Sequence, residues 1–177
     1  MELNFHPYPV HETARLLLRQ ISHADTEDIF QLRTNREAMK YIKRPILKTI
    51  DDAVELINTM NHSDRIQWGI TLQNDNKIIG TIGYHRIEKD NFRAEMGYML
   101  APKYWNTGMM SEALCAVIDF GFNKMNLHSI EAVIDPGNNV SRKILTKFNF
   151  IKEGYFKENF YYEGKFYDSE VYSLLKQ

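Results

Sequence analysis

Apolar residues along this chain switch between strand-like runs and helical spacing. Ile66–Leu72 and residues 77–85 are rich in β-branched and aromatic side chains, and they flank a polar tetrad at 73–76. This pattern predicts an antiparallel hairpin, which Arg93–Leu100 extends as a third strand. After that strand, apolar residues recur three or four positions apart and predict a helix, at Met110, Leu114, Val117, Ile118 and Gly121.

The first third of the chain contains two helix-start signals. Ser22 is followed three residues later by Asp25, and Thr49 is followed in the same way by Asp52. These are capping-box patterns, in which the two side chains satisfy free N–H groups at a helix start. We therefore expect a strand over residues 15–20, a helix of about ten residues after the first pair, and a second helix after the second pair.

The last third predicts a strand over Ser129–Ile134, a helix over residues 138–147, and two long strands over 150–160 and 168–175. The full order is a strand, two helices, three strands, a helix, a strand, a helix and two strands. That order implies an α/β fold of the mixed α+β kind. We expect a single domain over residues 1–177, with one mixed, mostly antiparallel sheet of about six to seven strands and helices on both faces.

Composition and charge narrow the possible partners. The 177 residues carry a formal net charge of −1, with 44% hydrophobic and 25% charged side chains, which is typical of a globular protein with one core. Because basic residues form no block, little electrostatic attraction to bulk nucleic acid or to an anionic membrane is expected. A small ligand or a protein partner fits this composition better.

Signals for targeting, disulfides and metals are absent from the sequence. Residues 1–10 lack a signal-peptide pattern, and no apolar run reaches the roughly 20 residues that span a bilayer, so we expect a cytoplasmic protein. Cys115 is the single cysteine and is predicted to be a small core residue. The six histidines follow no metal-ligand spacing, so we predict no metal site.

The segment at residues 102–113 is the strongest candidate for chemistry. An apolar strand runs directly into it, and an amphipathic helix follows it. Such a transition leaves backbone N–H groups free at the positive end of the helix, and Gly108 permits a close backbone approach. The amides of Asn106 through Met110 are predicted to hold a diphosphate, although loops with one glycine before a helix also occur for purely structural reasons.

A second polar strand-to-helix transition lies at residues 135–141. Asn138 and Ser141 stand at the start of the predicted helix, where Asn138 is also an ordinary N-cap residue. If both transitions meet at one edge of the sheet, a long ligand can lie across them. No P-loop pattern is present, and Gly80 to Gly83 lie inside a strand without a following helix, so neither a nucleoside triphosphate nor NAD is expected.

Five motifs follow one another along the chain, at residues 13–19, 94–98, 104–113, 138–150 and 164–175. Together and in this order they resemble the GNAT superfamily of acetyl-CoA-dependent N-acetyltransferases. The resemblance covers nearly the whole chain, and within the superfamily it is most similar to the RimJ/RimL branch of ribosomal-protein N-terminal acetyltransferases.

The resemblance implies acetyl-CoA as the donor, and it implies a bulged strand that splays from its neighbour to receive the pantetheine arm. The cofactor-binding residues implied in this way are Met99, Leu100, Trp105, Asn106, Thr107, Gly108, Met109, Met110 and Asn138. The chain departs from the family pattern at Trp105, where Gln or Arg is usual, at Met110, where a small residue is usual, and at Asn149, where Gly is common. Met110 is expected to narrow the approach of the diphosphate.

The implied reaction is direct attack of an amine on the thioester carbonyl, which a strand amide near Met99 would polarise. Glu95 is the leading candidate for the base, with water as an intermediary, and Glu158 is the second candidate. Ser141 is the candidate donor to the departing sulfur. For each of these three residues an ordinary structural role is the competing interpretation.

The preferred acceptor is a protein or peptide N-terminal α-amine. Deprotonating such an amine at pH 7 costs roughly 1.4 kcal/mol, against roughly 4.6 kcal/mol for a lysine. The alternatives are a small amine, such as a polyamine, amino acid or antibiotic, and a non-catalytic CoA-binding sensor. Acceptor choice is expected to depend on residues 41–63 and 159–166, and homodimerisation is possible through the aromatic C-terminal strands.

Overall fold

Eight strands form one sheet in the computed structural model, which describes residues 5–176. Their order across the sheet is β1-β2-β3-β4-β5-β6-β8-β7. The strands are β1 (His11–Glu12), β2 (Leu16–Gln20), β3 (Ile66–Leu72), β4 (Gly80–Glu88), β5 (Arg93–Leu100), β6 (Ser129–Ile134), β7 (Ile151–Tyr162) and β8 (Lys165–Leu175).

The four helices of the described residues are α1 (Thr26–Thr34), α2 (Ile50–Met60), α3 (Met109–Asn123) and α4 (Asn139–Lys147). Both predicted helix starts are confirmed. The Asp25 carboxylate accepts the Ser22 N–H at 2.8 Å just before α1, and the Thr49 hydroxyl accepts the Asp52 N–H at 3.2 Å at the start of α2. No described helix is long and apolar enough to cross a membrane.

The sheet is mixed and mostly antiparallel, as predicted. Every neighbouring pair is antiparallel except β5 and β6, which run parallel and pair only over Arg93–Glu95 and Ser129–Glu131. The eight strands are close to the predicted six to seven, and the additional strand β1 has two residues, too few to show periodicity. The predicted helix positions, hairpin and strand order are confirmed.

The two faces of the sheet bury different sets of residues, because successive strand side chains alternate between faces. On β3, the side chains of Ile66, Trp68 and Ile70 join the large core that α3 and α4 cover. Between them, a Cβ on Gly69 would lie 2.3 Å from Ile78, in the smaller core that α1 and α2 cover on the opposite face. Helices therefore cover both faces, as predicted.

Close contact between α3 and the sheet depends on Gly121. The buried Tyr84 hydroxyl on β4 donates to the Val117 carbonyl at 2.9 Å, and a Cβ on Gly121 would lie 2.3 Å from that hydroxyl. The predicted apolar stripe of α3 is therefore the face that contacts the sheet. The prediction for Cys115 was wrong, because this residue lies on the exposed side of α3.

The ion pair that anchors the start of α1 generates a prediction about stability. Asp25 is 5% exposed, and Arg19 on β2 donates to both of its oxygens, at 2.7 and 2.9 Å. Burial alone would raise the pKa of Asp25, but Arg19 and Ser22 outweigh burial and lower the pKa below its ordinary value. The stabilisation is therefore complete above the unfolded-state pKa of about 3.9 and is lost as the pH falls through the folded-state pKa.

We expect Asp25→Asn to lower the free energy of unfolding by roughly 3 kcal/mol at pH 7, because it leaves Arg19 without its partner. Urea denaturation at several pH values measures this difference, which should shrink below about pH 4. The exposed Asp90 provides the control, as Asp90→Asn should change stability by less than about 0.5 kcal/mol. A loss for Asp25→Asn that is the same at pH 3 and pH 7 would contradict the ion-pair explanation.

Candidate active site

The loop between β5 and α3 is held in a defined shape by its own side chains. The Trp105 indole N–H donates to the Leu100 carbonyl at 2.7 Å, and the Thr107 hydroxyl donates to the Tyr104 carbonyl at 2.6 Å. Asn106 and Gly108 have positive φ values of 60° and 80°, and Gly108 is the N-cap of α3. These left-handed residues alternate with ordinary ones, a backbone pattern that turns successive N–H groups toward one point.

The N–H groups of residues 106–111 are free within the described part of the chain. None of them donates to a backbone or side-chain acceptor there. These groups stand at the positive end of the 15-residue helix α3, where an anion is stabilised by the helix dipole and by direct hydrogen bonds. The amides of Asn106, Thr107, Gly108, Met109 and Met110 are therefore available to an anionic ligand such as a diphosphate.

Arg15, in the bend just before β2, holds this loop through a contact that the sequence did not reveal. Its guanidinium donates to the Thr107 carbonyl at 2.9 Å and to the Glu112 carboxylate at 2.7 Å. Burial would raise the pKa of Glu112, but hydrogen bonds from Thr13 and Arg15 outweigh it and lower the pKa. Arg15 therefore ties the loop to both Thr107 and Glu112, on either side of Gly108.

Two departures from the family pattern are accounted for by their surroundings. The side chain of Met110 is 7% exposed and belongs to the core between α3 and the sheet. The expected narrowing of the diphosphate site is therefore not seen, since only the amide of Met110 belongs to the loop's free donors. Asn149 follows α4 with φ of 61°, the left-handed conformation predicted for it.

An open slot begins where β5 parts from β6. Beyond Glu95, β5 continues to Leu100 on β4 alone, while β6 continues to Ile134 on β8. The edge of β5 that carries Met99 and Leu100 thus has no partner strand on the β6 side, and its backbone groups are open to a ligand. The predicted splay is confirmed, but the register shift lies on β4, between His85 and Glu88, rather than on the splayed strand.

Glu95 lies at the start of this slot and contacts two basic side chains of β4. Its carboxylate lies 3.0 Å from His85 Nε2 and 2.9 Å from Arg86 Nη1, and the side chain is 11% exposed. Burial would raise the pKa of Glu95, but His85, Arg86 and the more distant Arg44 outweigh it and lower the pKa. Glu95 is therefore an ionised carboxylate at neutral pH, able to accept a proton.

Ser141 lies at the start of α4, beside Tyr98 of β5. The residue is 9% exposed, and its N–H donates to the Asn138 side-chain oxygen at 3.1 Å, so Asn138 is the N-cap of α4. The buried Tyr98 hydroxyl has no hydrogen-bond partner among the described residues. Burial raises the pKa of Tyr98 to about 12, an effect that the neighbouring Ser141 hydroxyl partly offsets.

A buried ion cluster fixes α4 against the sheet. Glu170 on β8 is 4% exposed and contacts Lys152 at 2.8 Å, Arg142 at 3.2 Å and the Tyr172 hydroxyl at 3.0 Å. Burial would raise the pKa of Glu170, but these partners outweigh it and lower the pKa. Because Arg142 follows Ser141 directly in the helix, the cluster also fixes the position of the Ser141 hydroxyl.

Glu158 lies in β7 and has no described contact with Glu95 or Ser141. It stands exposed in an irregularity of β7 between Phe156 and Phe160, with φ of 51°, and its N–H donates to Asp168 at 2.7 Å. No described hydrogen bond or ion pair connects its side chain to Glu95 or Ser141. The structure thus places Glu95 where β5 parts from β6, Ser141 beside Tyr98 of the same strand, and Glu158 in the C-terminal hairpin.

Comparison with known proteins agrees with this geometry. The model of the acetyltransferase (GNAT) domain matches residues 15–151. The uncharacterized N-acetyltransferase YoaA of Bacillus subtilis is 36% identical, over 96% of this chain and 98% of its own length. The structure of the ribosomal-protein-S5-alanine acetyltransferase from Vibrio fischeri is 26% identical, with a TM-score of 0.79 over 94% of this chain and 96% of its own.

A third similar protein has a different named acceptor. The spermidine N-acetyltransferase from Vibrio cholerae, solved in complex with CoA and spermine, has a TM-score of 0.81 and 24% identity over 90% of this chain and 95% of its own. At 24% identity, this similarity establishes a shared fold and does not extend to the acceptor. The free amides, the splayed strands and the domain match agree, and this chain belongs to the GNAT family of acetyltransferases, as an acyltransferase that uses acetyl-CoA.

Proposed function

We propose that this protein transfers the acetyl group of acetyl-CoA to the N-terminal α-amine of a protein or peptide. The observation that carries the proposal is the position of one ionised, largely buried carboxylate, Glu95, at the start of the slot between β5 and β6. Bound there, acetyl-CoA would supply an activated acyl thioester. The similarity to an S5-alanine acetyltransferase supports an N-terminal acceptor and the RimJ/RimL branch.

The loop around Gly108 would hold the diphosphate through the free amides of residues 106–111. The open edge of β5 at Met99 and Leu100 would pair with the pantetheine arm as an added strand, and an amide near Met99 would polarise the acyl carbonyl. Asn138 already uses its side-chain oxygen to cap α4, so only its amide nitrogen remains available to contact the arm. Trp105 braces the loop from within.

Glu95 would take the proton from the attacking amine, directly or through one water. An N-terminal amine has a pKa near 8, so a fraction of it is already neutral at pH 7 and only a weak base is needed. Glu95 is ionised at that pH and would be free to accept the proton, although its lowered pKa makes it a weak base. A lysine acceptor would need roughly 3 kcal/mol more for deprotonation. Glu158 remains the second candidate for this role.

Ser141 would donate a proton to the departing sulfur, with the Tyr98 hydroxyl behind it. Neither group is ionised near neutral pH, and burial holds the pKa of Tyr98 at about 12, so both hydroxyls keep their protons until the sulfur leaves. Serine alone is a weak acid. The Tyr98 hydroxyl beside it would return a proton to Ser141 after Ser141 has protonated the sulfur.

Gly108 provides the test of the diphosphate loop. Gly108→Ala should weaken acetyl-CoA binding about tenfold, because a side chain in the left-handed region costs roughly 1–2 kcal/mol and shifts the adjacent amides. Calorimetry measures the affinity. Gly164→Ala is a matched control, since Gly164 has the same φ of 80° with open space around it, at the tip of the β7–β8 hairpin. Equal affinities for the two variants would refute the assignment of the loop.

Glu95→Gln should lower kcat/KM at least tenfold across pH 6–9 with little change in acetyl-CoA affinity, because it removes the base without changing the shape of the slot. Glu131→Gln is the control, since Glu131 is the residue paired with Glu95 across β5 and β6. A change within twofold for Glu95→Gln would reject this base. If Glu95→Gln gives that result, a tenfold loss of kcat/KM in Glu158→Gln would assign the role of base to Glu158.

Ser141→Ala should lower kcat at least tenfold while the KM for acetyl-CoA changes little, because the hydroxyl acts only as the sulfur leaves. Tyr98→Phe should cause a smaller loss, since it removes only the group behind Ser141. Thiol release measures both rates. A smaller loss in Ser141→Ala than in Tyr98→Phe would assign the donor role to the tyrosine, and no loss in either would leave water as the donor.

A further inference from the structure

Arg33, at the end of α1, is a largely buried cation without an acidic partner. No carboxylate of the described residues lies within ion-pair distance of it, and its Nε is buried without a hydrogen-bond partner. Its one described contact is from Nη1 to the Met39 sulfur at 3.8 Å. Burial, and then the charge of Arg44, lower the pKa of Arg33 to about 10, so it remains charged at neutral pH.

This burial is costly for the fold. The last turn of a helix stabilises a cation only weakly, whereas removing an unpaired charge from water is strongly unfavourable. The described residues therefore provide no partner that stabilises the charge of Arg33.

The position of Arg33 connects it with the slot. Met39, its contact, packs with Leu32 and with Met99, the residue on the open edge of β5. Met99 and Glu95 lie on the same face of β5, since they are four residues apart. Arg33 thus lies on the face where Glu95 would meet the acceptor amine.

Arg44 adds a second unpaired cation to this face. It has no ion-pair partner among the described residues, and its guanidinium stacks over the Phe160 ring at 5.8 Å. The Tyr162 hydroxyl donates to the Arg44 carbonyl at 2.9 Å, so the tip of the β7–β8 hairpin holds this loop beside the slot. Arg44 is near enough to Glu95 and to Arg33 to lower both of their pKa values.

The charges in this region do not balance. Of the carboxylates near these arginines, Glu95 is paired with Arg86 and His85, Asp135 is paired with Lys43, and Glu163 accepts a hydrogen bond from the Tyr162 hydroxyl. Two arginines therefore remain without a counter-charge around the place where the acceptor would lie. A cationic acceptor such as a polyamine would be repelled there, whereas a carboxylate would be bound by charge-assisted hydrogen bonds.

We infer that the acceptor carries a carboxylate close to its reactive amine, and that Arg33 and Arg44 bind this carboxylate. The inference rests on the proposed acetyl transfer to an amine and specifies its substrate class. Two sources of the carboxylate fit: an acidic side chain near the N-terminus of a peptide, and the α-carboxylate of a free amino acid.

The test compares acceptors that differ only in charge, using thiol release by the full chain. One pair is a peptide beginning Ser-Asp and the same peptide beginning Ser-Asn, and the other is a free amino acid and its carboxamide. We expect at least a tenfold higher kcat/KM for the acidic member of one pair, which identifies the source. Spermidine should be a poorer acceptor than either acidic compound.

Variants of Arg33 and Arg44 then test whether these two residues cause the preference for the acidic acceptor. Arg44→Glu and Arg33→Gln should each reduce the preference for the acidic member at least fivefold, mainly through a higher KM for that member. Arg33→Lys keeps the charge and should retain most of the preference if Arg33→Gln proves unstable. Arg36→Gln is the control, because Arg36 is exposed in the same segment.

Equal kcat/KM values within both pairs, or an unchanged preference in Arg44→Glu, would overturn the inference while leaving the proposed function intact. The absence of acetylation of any amine tested, together with intact acetyl-CoA binding, would instead overturn the proposed function itself.

Discussion

The parting of β5 from β6 after Glu95 is the constraint on which the rest of the site depends. A strand edge inside a sheet normally has its N–H and C=O groups paired, because unpaired backbone groups away from water are costly. Here the parallel pairing of β5 with β6 stops after Glu95. Beyond that residue β5 pairs with β4 alone, and β6 pairs with β8 alone. The open edge at Met99 and Leu100 therefore needs a ligand or water to complete it, and it leads directly to the free amides before α3.

The geometry of Glu95 depends on a second local irregularity. Successive residues of a regular strand point to opposite faces, so His85 and Arg86 should not both reach one carboxylate. The register shift in β4 and the φ of 46° at Arg86 bring both to Glu95. A left-handed non-glycine residue costs of order 1–3 kcal/mol, which the two contacts with the carboxylate help to offset.

Short sequence patterns predicted the structural features that depend on interactions between residues close together in the chain. The capping residues Ser22 and Thr49, the hairpin of β3 and β4, and the glycine at the start of α3 act within a few residues of themselves, so the sequence reveals them. Residues that act through distant contacts were missed. Arg15 meets Glu112 across the fold, and nothing near Arg33 in the sequence shows that it would be buried without an acid. The exposed position of Cys115 was missed because its neighbours in α3 are apolar on both sides.

Strand alternation along β5 also orders the proposed reaction in space. Glu95 and Met99 lie on the face that α1 covers, while Tyr98 lies on the face that α3 and α4 cover, as shown by the cores to which their neighbours belong. The amine would therefore lose its proton on one face of the sheet, and the sulfur would gain a proton from Ser141 and Tyr98 on the other. This arrangement would leave the carboxylate and the arginines together on the face that receives the acceptor. The slot between β5 and β6 is the passage that connects the two faces.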